Sequence, residues 1–292
     1  YSSGSAYLFI RSGSTWVLEG TLWPNVTSSN DDFGASVALE GNTLVVGAPG
    51  ESAAATGVNG NPNDSGAPRS GAAYVFTGAS GIWTQHAYFK PSNTAPLFAF
   101  GTSVALDGNT IAVGAPEEPT QTTGVSAPPP ATGPGGGGAH DGGEMPDLFY
   151  ADGFVDASTS MGGPPNGPGA VYLFTADVAG SWSEVAFVKA SNVYRGSLPF
   201  GTWVALDGDT LAVGSPGESS AASGIDGAEY DTSLPGAGAA YLYTRSAGAW
   251  SVSHYVKSIT PTHNGHFGIS IALIGGTLAV GAPGDPASGA GY

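Results

Sequence analysis

The chain has 292 residues, of which 48 are glycine and 22 are proline, and 41% are hydrophobic. The chain is rich in turn-forming residues but has enough apolar residues for a core, which excludes a disordered chain. Its glycines do not recur at every third residue, which excludes a collagen triple helix. The 7 basic and 23 acidic residues give a net charge of −16, which excludes nucleic acid as a partner because phosphates require a basic surface.

Cysteine is absent, which excludes disulfides, thiolate metal sites and cysteine nucleophiles. No apolar run approaches the roughly 20 residues of a membrane-spanning helix, so we expect no membrane insertion. The chain opens at Tyr1 without a basic-then-apolar signal segment. We interpret it as a processed or excerpted piece of a longer precursor.

Four segments repeat one pattern that predicts a β-hairpin. Each starts with Phe-Gly, continues as an apolar strand, and ends its second strand with Gly-Ala-Pro or, once, Gly-Ser-Pro. Gly-Asn, Gly-Asp or Gly-Gly pairs lie between the two strands, and such pairs accept the positive φ angles of tight turns. The four segments are Phe33–Pro49, Phe100–Pro116, Phe200–Pro216 and Phe267–Pro283.

Two further strands complete each unit. The third carries Tyr74, Tyr172 or Tyr241, and the chain opens with a copy at Tyr7. The fourth strands are marked by Trp16, Trp83, Trp182 and Trp250. Four short strands in series are typical of propeller blades. The sequence therefore predicts an all-β propeller of about four four-stranded antiparallel blades, with the repeated aromatic residues packed between blades.

Phe-Gly before the first strand and Gly-Ala-Pro after the second are the signatures of the FG-GAP repeat, so the chain resembles the FG-GAP family and the β-propeller heads of integrin α-subunits. The resemblance implies a propeller, usually of seven blades, found in secreted and surface proteins and used in adhesion and ligand binding. It covers 1–292 as a single propeller region. The blade units are 1–30, 33–91, 100–190, 200–258 and 267–292, with partial first and last units and a long insertion loop at 117–168.

The integrin version places an acidic calcium loop between strands one and two. Here two-residue turns follow Glu40, Asp107, Asp207 and Ile274. Calcium takes six to eight oxygen ligands, which such a turn cannot supply. We therefore expect the variant of the family that lacks the integrin-type calcium hairpin, with Asp107 and Asp207 stabilising turns.

Both ends of the chain spell the start of a third strand, since Ser288-Gly-Ala-Gly-Tyr292 matches Ser3-Gly-Ser-Ala-Tyr7. Part of a larger, seven-bladed propeller or repeat array is one interpretation, and a four-bladed ring closed within the chain is another. Self-association into a filament or surface layer is also open.

The loops between second and third strands are long at 50–70, 117–168 and 217–238. In a four-stranded meander these loops share one face with the linkers between blades. Insertions on one face are typical of a surface that contacts a partner, so we expect a protein or glycan ligand there. Solvated spacers are the alternative.

Two of these loops carry oxygen-bearing side chains around glycine, as flexible calcium loops do. The candidate ligands are Asn59, Asn61, Asn63, Asp64, Asp226, Glu229 and Asp231. Their spacing matches no strong motif, and any turn-rich loop has a similar composition. Ca²⁺ is the one cofactor that the sequence suggests.

The long insertion ends in an acidic and aromatic stretch in which Phe149, Tyr150 and Phe154 provide apolar surface for docking on the propeller or on a partner. Asn25 and Asn63 match the N-glycosylation pattern, which is relevant to a secreted eukaryotic protein.

No nucleophile elbow, metal triad, paired-carboxylate motif or phosphate loop occurs in the sequence. We therefore expect a non-enzymatic binding, adhesion or structural module, extracellular or at the cell surface. A glycan-active enzyme that uses carboxylates of the long-loop face is the alternative, because hydrolases also occur on propellers.

Overall fold

The computed structural model of the chain describes residues 3–131, 167–192 and 199–286. Strands and turns make up the described residues, and no helix occurs among them. The strands are β1 (Ala6–Ser12), β2 (Thr15–Leu22), β3 (Ser36–Glu40), β4 (Thr43–Ala48), β5 (Ala72–Ala79), β6 (Ile82–Phe89), β7 (Ser103–Asp107), β8 (Thr110–Ala115), β9 (Val125–Ser126), β10 (Ala170–Ala176), β11 (Trp182–Val188), β12 (Trp203–Asp207), β13 (Thr210–Ser215), β14 (Ala239–Ser246), β15 (Ala249–Val256), β16 (Ser270–Ile274) and β17 (Thr277–Gly281).

The strands form three complete antiparallel sheets in which neighbours follow chain order. We call them blade A (β3-β4-β5-β6), blade B (β7-β8-β10-β11, with β9 at its outer edge) and blade C (β12-β13-β14-β15). The N-terminal hairpin (β1-β2) supplies third and fourth strands, and the C-terminal hairpin (β16-β17) supplies first and second strands. The predicted all-β fold of four-stranded propeller blades is confirmed.

The turns between first and second strands consist of two residues, as predicted. In blade A, Glu40 pairs with Thr43 across the turn, and Gly41 adopts a φ of 53°. The acidic residues before the first two turns accept hydrogen bonds from the next blade. The Glu40 carboxylate accepts the Gly108 N–H at 2.6 Å, and the Asp107 carboxylate accepts the Gly208 N–H at 2.6 Å. These carboxylates therefore tie consecutive blades together.

The two signature phrases meet at the boundaries between blades. A Cβ placed on Gly47, in the Gly-Ala-Pro phrase of blade A, would lie 1.9 Å from the carbonyl oxygen of Gly101, in the Phe-Gly phrase of blade B. The Ser36 hydroxyl donates to the same oxygen at 2.8 Å. Gly114 lies equally close to Gly201. Only glycine fits where two backbones approach so closely, which explains the glycine of Gly-Ala-Pro. The glycine of Phe-Gly is required for its own reasons, since Gly101 has a φ of 92° and a Cβ there would lie 2.2 Å from the Ala72 carbonyl oxygen.

The repeated aromatic side chains form the core. The Phe33 ring packs edge-on against Tyr74 and Phe76 at centroid distances of 5.5 and 5.9 Å, an arrangement that aromatic pairs favour. Phe89 of blade A stacks on Phe174 of blade B at 4.4 Å. The prediction is wrong for Tyr7 and Trp16 of the N-terminal hairpin, which are 62% and 67% exposed, because in the described part of the chain this hairpin has neither first and second strands nor a preceding blade.

Candidate functional site

We call the face that carries the loops between second and third strands the long-loop face. Each of these loops folds back onto the outer edge of its own blade. The loops do this through single bridges or a short strand that pair with the fourth strand: Val58 with Phe89, Val125 with Val188, and Ile225 with Val256. In every case the N–H of the residue after the fourth strand donates to a loop glycine: Lys90 to Gly57, Lys189 to Gly124 and Lys257 to Gly224. The outer side of each loop is thereby fixed in place.

A buried ion pair lies at the base of each loop. The Lys90 ammonium is 2.6 Å from the Glu51 carboxylate, and neither side chain is more than 6% exposed. Lys189 pairs with Glu118 at 2.5 Å. Lys257 pairs with Glu218 at 2.6 Å. Each glutamate follows a Gly-Ala-Pro-type phrase, and the three lysines are all the lysines of the chain.

The glutamates also hold the loop backbone. Glu51 accepts the Ala53 N–H at 3.0 Å and the Tyr88 hydroxyl at 3.1 Å. Lys90 donates a second hydrogen bond, to the Ser70 hydroxyl at 2.6 Å. Burial lowers the pKa of Lys90, and the Glu51 carboxylate opposes that shift. The Glu51–Lys90 pair therefore joins the start of the loop, the end of the loop and the fourth strand of blade A.

Burial raises the pKa of four other carboxyl groups, among them Asp32. Burial raises the pKa of Asp31 to about 6, and it raises the pKa values of Glu117 and Glu184 to about 7. Asp31 accepts the Ser28 N–H at 2.6 Å, and Glu184 accepts the backbone N–H and the hydroxyl of Ser92 at 3.0 Å. Near neutral pH these carboxyls exchange protons more readily than ordinary surface acids do.

The first predicted calcium loop uses its side-chain oxygens within the protein. The donors are backbone N–H groups of the same loop or of β6. The hydrogen bonds are Tyr88 N–H to Asn59 at 2.9 Å, Ala54 N–H to Asp64 at 2.5 Å, and Asn63 N–H to Asn61 at 3.1 Å. Asn59, Asn61 and Asp64 thus stabilise turns in this structure, and the Asn63 side chain donates to Asn61.

The second predicted calcium loop repeats the same arrangement. Asp226 accepts the Tyr255 N–H at 3.0 Å, as Asn59 does in blade A, and Asp231 accepts the Ala221 N–H at 2.9 Å, as Asp64 does. Glu229 accepts the hydroxyl of Ser191, which follows the last strand of blade B. Across the described ranges, no group of three or more His, Cys, Asp or Glu side chains is arranged to hold a metal. Calcium at these residues stays a prediction.

The two predicted glycosylation sites, Asn25 and Asn63, are exposed. The Asn63 amide nitrogen donates to Asn61 at 3.0 Å, whereas Asn25 is held by its backbone N–H, which donates to Gln85 at 2.8 Å. Glycosylation at either site stays a prediction. The proposed partner-binding residues Phe149, Tyr150 and Phe154 lie outside the described residues.

Sequence reasoning missed the ion pairs and the fold-back of the loops, although both leave signals. All lysines of the chain occupy one repeat position, directly after the fourth strand, and a glutamate recurs after the first three Gly-Ala-Pro-type phrases. A Gly-Val or Gly-Ile pair marks each fold-back, at Gly57-Val58, Gly124-Val125 and Gly224-Ile225.

The chain forms successive four-stranded blades with long loops on one face. This architecture defines a propeller-type binding or structural module. A family model described as the FG-GAP repeat matches residues 16–76 and 83–126. These segments are FG-GAP repeats, and the recognition based on the Phe-Gly and Gly-Ala-Pro phrases is confirmed. The comparison with curated proteins gives no match. In the part of the chain that the structure describes, no helix has the length and apolar character needed to cross a membrane.

Proposed function

We propose that the chain is a non-enzymatic, extracellular or cell-surface binding module that contacts a protein or glycan ligand through the long-loop face. The observation that carries the proposal is the combination of fixed loop bases and variable loop tips. Each base is held by a buried ion pair such as Glu51–Lys90. Binding residues are commonly carried by loops that a rigid scaffold positions.

The tip of the blade C loop offers the best ligand-contacting side chain. Tyr230 is 78% exposed and lies between Glu229 and Asp231, whose carboxylates are engaged in hydrogen bonds. An exposed tyrosine on a fixed backbone loses little entropy on binding and is typical of binding hot spots. Blades A and C have matching hydrogen bonds at their loop tips but different exposed residues, as expected for a scaffold that varies its contacts.

Charge restricts the ligand. The three lysines are buried in ion pairs, and the chain carries a net charge of −16. A polyanionic ligand would therefore be repelled from the long-loop face, whereas a neutral glycan or a basic protein segment would not. An extracellular or surface location is supported by the FG-GAP repeats, which are typical of such proteins.

A glycan array combined with chromogenic glycosides tests the proposal. We expect binding to array glycans without turnover, and Tyr230→Ala should weaken the binding by about tenfold or more, the usual cost of a hot-spot residue. Ile82→Ala, an equally exposed apolar residue near the short turns of blade A, is the matched control and should bind like the parent chain. Turnover of a glycoside would contradict the non-enzymatic function.

Self-association into an array is a second candidate, favoured by the two hairpins. Among the described residues, β1 pairs only with β2 and β17 only with β16. Gly4 bridges Phe33 just as Gly71 bridges Phe100, so β1 corresponds to β5. Tyr7 is 62% exposed, whereas its counterpart Tyr74 is 2% exposed. The β17 strand of a second copy could pair with β1, as β4 pairs with β5 within blade A.

The pairing of β4 with β5 in blade A predicts which residues of β17 and β1 would lie opposite each other. Val45 pairs with Val75, and the corresponding residues of β17 and β1 are Ala279 and Leu8. Because the chain has no cysteine, Leu8→Cys with Ala279→Cys should form disulfide-linked multimers under oxidation. Leu8→Cys with Val280→Cys, displaced by one residue to the opposite face of the strand, is the control. A monomer at all concentrations, without cross-links, would contradict self-association.

A further inference from the structure

The fourth strands β2, β6, β11 and β15 each contain a β-bulge. The pairing register skips Glu19 in β2, His86 in β6, Val185 in β11 and Ser253 in β15, and the first three of these residues face the following blade. The skipped residues are therefore equivalent in the repeat. Bulges re-aim a side chain, and here the bulged residue is aimed at the turn that joins the third and fourth strands of the next blade.

In the first two grooves between blades, the bulged residue is polar and forms a hydrogen bond across the groove. The Trp83 indole N–H donates to the Glu19 carboxylate at 3.2 Å. His86 contacts the Gly180 carbonyl oxygen at 3.1 Å. Glu19 and His86 thus each form a hydrogen bond that joins the two sides of a groove.

The third groove, between blades B and C, differs because Val185 cannot form a hydrogen bond. Trp250, the counterpart of Trp83, is 7% exposed, and its indole nitrogen is buried without a hydrogen-bond partner in the described structure. A buried donor without an acceptor is destabilising and calls for a specific explanation. The acceptor that Glu19 supplies in the first groove is missing here.

A cavity of about 420 Å³ occupies this groove and is lined by Asn109, Thr175, Val185, Arg245, Gly248 and Trp250. The Arg245 guanidinium lies 5.2 Å from the centre of the Trp250 ring. It pairs with Asp209 at 2.6 Å and donates to the Thr110 hydroxyl at 3.0 Å. A guanidinium has five N–H donors, so donors remain for a ligand.

We propose that this groove binds a small hydroxylated carboxylate of the uronic acid class. Its carboxylate takes the place that the Glu19 carboxylate has in the first groove, accepting the Trp250 indole N–H and pairing with Arg245. Asn109 and Thr175 line the same groove.

The site is independent of the long-loop face, because Asn109 and Gly248 belong to short turns at the opposite ends of the strands. Since the indole nitrogen is shielded from solvent, a lining side chain must shift when the carboxylate enters. Arg245, which packs over the ring, is drawn toward a carboxylate by its charge. Binding should therefore change the environments of both Arg245 and Trp250.

Titration of ¹⁵N-labelled protein with glucuronate tests the inference. The six tryptophans give separate indole N–H signals, and Trp250→Phe assigns the signal of Trp250. We expect a saturable shift of that signal with glucuronate and none with glucose, which lacks the carboxylate. No response up to about 10 mM, a concentration above the Kd of most weak specific sites, would overturn the inference, as would an equal response to glucose.

Two variants and a control complete the test. Val185→Glu restores the internal carboxylate, so it should shift the Trp250 signal without ligand and abolish the response to glucuronate. Ile82→Glu adds the same charge on blade A, away from the cavity, and should leave binding unchanged. Arg245→Gln should weaken binding by about tenfold or more, the usual cost of losing a charge-assisted hydrogen bond. Undiminished glucuronate binding by Val185→Glu or Arg245→Gln would overturn the inference.

Discussion

The Lys90 ammonium lies 2.6 Å from the Glu51 carboxylate, and both groups are removed from water. Lys90 follows the fourth strand of blade A, whereas Glu51 lies at the start of its long loop, so the pair joins segments 39 residues apart. Blades B and C contain the same pair. The buried charges are tolerated because each has a partner of opposite charge and further hydrogen bonds.

Removal of one partner should destabilise the protein strongly. Lys90→Met leaves the Glu51 carboxylate buried and unpaired, and we expect the free energy of unfolding to fall by about 3–5 kcal/mol. Denaturant unfolding measures this change. Asp209→Asn, which breaks the exposed ion pair with Arg245, is the control and should cost less than about 1 kcal/mol. A Lys90→Met protein as stable as the parent would show that the pair does not hold the loop.

The contact between Gly47 and Gly101 predicts a second large effect. Gly47→Ala places a methyl group 1.9 Å from a backbone oxygen of the next blade, and a backbone cannot move aside as a side chain can. We expect a loss of more than about 3 kcal/mol, as for severe overpacking. Gly20→Ala, where the added atom meets nothing within 4 Å, should change stability by less than about 1 kcal/mol. Equal thermal stability of the two variants would contradict the close approach.

Glu184 should make stability depend on pH. Burial raises the pKa of Glu184 from 4.5 to about 7 in the folded protein, so the folded state binds the proton more tightly than the unfolded state does. This contribution to stability is complete below about pH 4.5 and is lost as the pH rises through about 7. As the pH rises from 4.5 to 7, the free energy of unfolding of Glu184→Gln should therefore increase by about 2 kcal/mol relative to that of the parent. Denaturant unfolding across this range should show the gain, and a pH-independent difference would contradict it.

Calcium binding at the predicted loop residues should stabilise the folded chain. Chelator-treated protein titrated with Ca²⁺ should release or absorb heat and should melt at a higher temperature, because ligands of the folded state stabilise it. Asp64→Asn and Asp231→Asn retain an acceptor for the loop N–H groups while removing the charge that calcium prefers, so both should weaken the effect. Absence of heat and of a melting shift would contradict the calcium prediction.

The hairpins and the blades could be predicted because their signals are local. The turn after Glu40 is encoded by Gly41 and Asn42, and the strands on either side by alternating apolar residues. The order of strands within a blade then follows from the repeat. The roles of the two signature glycines could not be derived from spacing, because Gly47 and Gly101 meet only after blades A and B have packed.

The candidate site was less predictable, for physical reasons. Asn59 and Asp64 have the composition of a calcium loop, but the same oxygens serve equally well as acceptors for backbone N–H groups. Composition cannot tell these uses apart. The Glu118–Lys189 pair joins residues 71 positions apart, with the long insertion between them, so no local pattern reveals it. A comparison of lysine positions across the repeats would have indicated it.

Confinement of every lysine to an ion pair has a practical consequence. The side chains of Lys90, Lys189 and Lys257 are at most 3% exposed, so the folded chain presents no accessible lysine amine to acylating reagents or to lysine-specific proteases. Either reagent can act on a given lysine only after the base of its loop opens. The rate of modification at each lysine therefore reports the opening of one blade at a time, and the three blades can be ranked by local stability in a single mass-spectrometric time course.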